Sequence, residues 1–126
     1  GKNCVWAFAV GGLLCAAAEV ECQALMMAGM ELQMARTLTS CSLILLAAIL
    51  TVAQVFDNIA KHAGAGTLVP ITGFANAVVS PAIEFKSEGF VLGVGAKMFT
   101  IAGPVIVYGT VASVVYGVIL WVMTLF

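Results

Sequence analysis

Residues 64–104, GAGTLVPITGFANAVVSPAIEFKSEGFVLGVGAKMFTIAGP, combine the hydropathy of a membrane helix with residues that break helices. Three prolines (Pro70, Pro81, Pro104) and seven glycines interrupt the segment, and Thr72, Asn76, Ser80, Glu84 and Lys97 add polar groups. Backbone N–H and C=O groups in hydrocarbon must be satisfied internally, so each break has to be packed in protein or line a wet cavity. The segment cannot be a lone lipid-facing helix, and function is to be sought there.

Composition fixes the surrounding medium. The chain is 63% hydrophobic and 9% charged, against roughly 45–50% and 25% in ordinary soluble domains, and its mean hydropathy is +1.15. Uncharged stretches cover 3–18, 37–56, 63–83 and 98–126, and about 20 apolar residues cross a hydrocarbon core. The expectation is an all-α integral membrane protein with one polytopic domain over 1–126. It would have about four transmembrane helices and a Gly/Pro-broken or re-entrant segment at 64–104. Its spans would fall at about 4–22, 37–57, 64–83 (broken) and 104–126, with 23–36 interfacial and 89–103 a partial or interfacial helix. A net charge of −1 offers neither a nucleic-acid surface nor a polybasic lipid anchor.

Local signals refine this plan. The first apolar stretch has the length of a signal sequence, but Glu19 and Glu21 stand where a small-residue cleavage site would be, so it reads as a mature helix. Thr39-Ser40 and Thr67 are candidate N-caps, and Pro70 suits a first helical turn. Met27, Met30 and Met34 recur at helical spacing, which reads as flexible interfacial packing. Cys4, Cys15, Cys22 and Cys41 show no metal-ligand spacing, so no metal or cofactor is expected. With four crossings, Lys2 and Lys61 would face one side and Arg36, Lys86 and Lys97 the other, a balance that sets no orientation.

Thr72, Asn76, Ser80 and Glu84 follow one another at intervals of four, a continuous polar stripe on a helix. Such a stripe lines a water path or bonds to a neighbouring helix, and the sequence leaves both open. Lys97 lies between apolar runs, where a cation either snorkels or takes a partner; Glu84 and an anionic ligand are the candidates. Gly64-Ala65-Gly66 before Thr67, with Lys61 nearby, has the makings of an anion-binding turn. Gly64-x-Gly66 and Gly93-x-Gly95, each followed by a proline (Pro70 and Pro104), hint at paired helix breaks, and Gly73 lies inside the first. Gly109, Ser113 and Gly117 make a small-residue face for helix packing. No nucleophile–base pair, paired carboxylates or phosphate loop appears, so an enzyme is not expected.

The motif G-A-G-x-x-V-P-[IL]-T-G-F at 64–74 and the run EFKSEGFVLGVGAKMF at 84–99 resemble the AC/AE membrane proteins of the stage V sporulation protein A family. The resemblance is clear over about 40–117; the acidic stretch CAAAEVECQALMMAGMELQMAR at 15–36 departs from it. It implies a polytopic protein of the spore inner membrane, in a homo- or hetero-oligomer with other subunits of that complex. The complex moves dipicolinic acid with calcium in sporulation and germination, with a tension-sensitive channel component. On that basis the expected path residues are Thr72, Asn76, Ser80 and Glu84, with Lys97 and the Gly64–Gly66 turn drawing carboxylates. The alternative is a scaffold subunit without its own pore.

Overall fold

The computed structural model describes residues 1–125, and every regular element among them is helical. In chain order these are α1 (Lys2–Met27), α2 (Leu32–Val52), α3 (Phe56–Ala63), α4 (Ala65–Leu68), α5 (Ile71–Glu84) and α6 (Ala96–Leu125). A 3₁₀ turn (Lys86–Glu88) and a π-helical segment (Phe90–Gly95) join α5 to α6. Three segments, Lys2–Met27, Leu32–Val52 and Phe90–Leu125, are long and apolar enough to cross a membrane.

The segment 64–83 falls short of the fourth span expected for it. α5 has 14 residues, about 21 Å of helix against a hydrocarbon core of about 30 Å. The break comes at Val69–Pro70. Pro70 has no N–H to continue α4, and its extended backbone (ψ 167°) starts α5 in a new direction.

Several expected boundaries move, for physical reasons. α1 runs on to Met27 and α2 starts at Leu32, so 23–36 is divided between two long helices by a tight turn. That turn rests on Gly29, whose φ of +96° favours a residue without Cβ. Thr39 is therefore mid-helix rather than a cap; its hydroxyl donates back to the Ala35 carbonyl at 2.9 Å. Thr67 likewise bonds back, to the Gly64 carbonyl at 3.1 Å. Residues 89–103 are not a separate partial helix but the first part of the last crossing, which continues through Pro104. α5 likewise continues through Pro81 to Glu84. Proline is tolerated within membrane helices because nearby hydroxyls and small local adjustments re-satisfy the backbone; Thr100, one turn before Pro104, donates to the Ala96 carbonyl at 3.0 Å.

Packing is built on small residues. α2 makes its broadest contact with α5, and Phe56 of α3 fills the space between Ala47 and Ala75. α1 lies against α2, α3 and α4. Along α1 the chain descends: Lys61 and His62 share a cleft with Asn3 and Cys4, whereas Val69 and Pro70 share one with Gly11 and Cys15. α5 then runs back along α2, so that Glu84 ends beside Gln54 and Asp57. α6 packs on α5 and buries Ala102, and beyond it the helix is exposed all round.

Candidate functional site

Thr72, Asn76, Ser80 and Glu84 all lie on α5, and the two halves of this row have different surroundings. Thr72 is buried, and its hydroxyl reaches the Thr67 carbonyl at 3.5 Å. Asn76 Oδ1 lies 2.8 Å from the hydroxyl of buried Thr51 on α2. These two residues are thus engaged within the bundle. Ser80 and Glu84, one and two turns further on, open instead into a groove of about 520 Å³. Gln54, Asp57, Asn58 and Lys61 supply the opposite wall.

The groove exists because α3 is amphipathic. Phe56 and Ala63 turn into the protein, while Asp57, Asn58 and Lys61 stay exposed. Asp57 in the first turn and Lys61 and His62 in the last match the helix dipole at both ends. Gln54 links α2 to α3 with a left-handed backbone (φ 59°), which is uncommon for a residue with a Cβ. Sequence reading ended a span at 57 and assigned Lys61 only to the neighbouring glycine turn. It missed that α5 returns to the same end and sets Glu84 against Asp57. The one signal available in the sequence was Pro70, which leaves too few residues before Glu84 to cross.

Lys97 has a partner other than the expected carboxylate. Its ammonium sits 4.4 Å from the centre of the Phe85 ring, a cation–π contact across the α5–α6 turn. That places the ammonium beside the mouth of the stripe, because Phe85 directly follows Glu84 in sequence.

The glycines do packing work. A Cβ at Gly66 would collide with the backbone of Ala7, and one at Gly11 would lie 3.2 Å from Gly66 Cα, so α1 and α4 cross at a glycine–glycine contact. A Cβ at Gly73 would strike the Leu68 carbonyl, and one at Gly93 the Phe85 carbonyl. Gly64 makes the sharp corner between α3 and α4 (φ 50°), and Gly95 closes the π-helical segment. α4 is a single turn of four residues pressed on α1, so the Gly64–Gly66 turn expected to draw carboxylates is also a packing device. The two glycine pairs are not brought together: one lies on α1, the other on the 85–90 turn. Gly109 and Gly117 face open space, and Ser113 donates to the Gly109 carbonyl at 2.8 Å, so this small-residue face has no partner among the described residues.

A three-helix membrane body, a broken short helix and a polar stripe ending in a charged groove can now be set beside known proteins. Residues 3–119 match the family model described as SpoVAC/SpoVAEB sporulation membrane protein. The chain is 47% identical over 118 residues to Stage V sporulation protein AC of Bacillus subtilis (strain 168), covering 93% of this chain and 79% of that one. No solved structure matches it. The chain belongs to the SpoVAC/SpoVAEB family of sporulation membrane proteins.

Proposed function

We propose that this chain is a channel or transport component of the stage V sporulation A complex, in the inner membrane of the spore. Its cargo is dipicolinic acid with calcium, moved during sporulation and germination, and membrane tension opens it. One observation carries the reading: the stripe of α5 leaves the bundle at Ser80 and Glu84 and enters an open groove with Asp57 and Lys61 on its far wall. Carboxylates suit a hard divalent cation, and the lysine suits the carboxylates of its dianionic counter-ion.

In this reading 65–84 is a re-entrant hairpin that enters and leaves on one side of the membrane, supported by α5's length and by Glu84 lying beside Asp57. Its tip at Val69–Pro70, with Val69 82% exposed, then lies within the bilayer, where irregular backbone needs protein or water around it. Neighbouring subunits, copies of this chain or other members of the complex, provide that cover.

The test is conductance. Purified protein in liposome patches should pass current under suction, Asn76→Leu should reduce it, and Lys97→Met should change ion preference. Silent patches, or currents unchanged in both variants, sink the channel reading. A scaffold role is favoured by a separate observation: Thr72 and Asn76 are both engaged inside the bundle. In that case another subunit forms the pore, and Asn76→Leu loosens the fold without touching conduction.

A further inference from the structure

We infer that the cleft between α1, α2 and α3 is a binding site for a phospholipid acyl chain. The cleft has a volume of about 270 Å³. Its floor is Ala47, Phe56, Thr67 and Thr72, all buried, and its mouth is framed by Leu13 and Leu46, 71% and 49% exposed. Leu13 lies eleven residues along α1 from Lys2, about 16 Å of helix. The mouth therefore opens at hydrocarbon depth.

The occupant follows from chemistry. The only side-chain polar groups on the floor, the Thr67 and Thr72 hydroxyls, are turned onto backbone carbonyls. No buried side-chain polar atom among the described residues lacks a partner. Water needs two to four polar partners and does not enter such a site. One turn of a partner helix, about 10 Å across and about 5.4 Å long, takes up more than the cleft's 270 Å³. Left empty, the apolar walls would forfeit their dispersion contacts. What stands at the mouth in a bilayer is acyl chain, and one chain segment fits. This site is independent of whether the protein conducts.

A phospholipid with a diazirine midway along one acyl chain, in phosphatidylcholine vesicles, distinguishes a cleft-bound chain from bulk lipid. Photolysis should label the floor residues Ala47 and Phe56, which bulk lipid cannot touch. Leu46→Trp, which narrows the mouth without entering the core, should cut that labelling roughly tenfold while labelling of α6 stays constant. Ala47→Phe, which fills the floor, should do the same. Label confined to Leu13, Leu46 and α6 in the unmodified protein overturns the proposal. So does floor labelling that survives both substitutions. If either variant fails to give a monodisperse particle, the label map of the unmodified protein decides alone.

Discussion

Thr51 and Asn76 tie α2 to α5 through a 2.8 Å side-chain contact, but the Thr51 hydroxyl also lies 2.7 Å from the Ala47 carbonyl. One hydroxyl proton cannot serve both acceptors. Both contacts are satisfied when Thr51 donates to Ala47 and the Asn76 amide is turned to present its NH₂ to Thr51, since amide O and N are assigned by their bonding network. A double-mutant cycle of Thr51→Val and Asn76→Leu, read by unfolding in mixed micelles, should give a coupling of about 0.6 kcal/mol, the usual size for an interhelical bond in membranes.

The α1–α4 crossing should be the least forgiving place for an added methyl. Gly66→Ala sets a Cβ against the Ala7 backbone and should destabilise the protein by about 1–3 kcal/mol, the range for overpacking. Gly12→Ala meets nothing within 4 Å and should be neutral or slightly stabilising through helix propensity. The same unfolding assay compares them.

The Lys97–Phe85 contact makes a prediction that separates ring from charge. Phe85→Leu keeps the bulk but removes the π face and should cost about 0.5–1 kcal/mol. Lys97→Met alone should cost a similar amount, and the double variant little more than either. Additive losses would show that the ring and the ammonium act separately.

Because Glu84 returns beside Asp57, the basic residues regroup. Lys2, Lys61, Lys86 and Lys97 lie toward one end of the bundle and Arg36 toward the other, in place of the balance that four crossings would give. That excess predicts that the lysine-bearing end is cytoplasmic. In a background without the native cysteines, Lys61→Cys and Lys86→Cys should react with an impermeant thiol reagent from the same side, and Ala28→Cys from the other. Labelling of positions 61 and 86 from opposite sides would restore the fourth crossing.

The small-residue face of α6 is without a partner among the described residues. Gly109→Leu and Gly117→Leu face open space within the chain, so they should leave monomer stability within about 0.5 kcal/mol. If this face joins subunits, the particle mass in detergent should fall.

Much of this was legible because hydropathy and helix-breaking chemistry act locally. The membrane class, the all-helical fold and an interruption near Pro70 follow from residue types read in order. Three kinds of information were not local. Threonine in an apolar helix bonds back to its own turn as readily as it caps one, so Thr39 and Thr67 gave ambiguous signals. Phe85 as partner to Lys97 depends on a turn whose shape is set by Gly89, at φ +104°. The wall of the groove opposite Ser80 and Glu84 comes from α3, and only the return path of α5 brings the two together.

The last helix is longer than a hydrocarbon layer is thick. From Ala96 to Leu125 it has 30 residues, about 45 Å of rise against a hydrocarbon layer of about 30 Å. A helix that overshoots the layer must lean or gather thicker lipid around itself, and the penalty changes with every ångström of bilayer thickness. Stretching a membrane thins it. Among the described residues α6 is covered only in its first third, around buried Ala102, so its outer arm is open to take up the change in lean. In the tension-opened channel proposed above, this helix would serve as a thickness gauge levered on the α5–α6 turn, where Lys97 rests on Phe85.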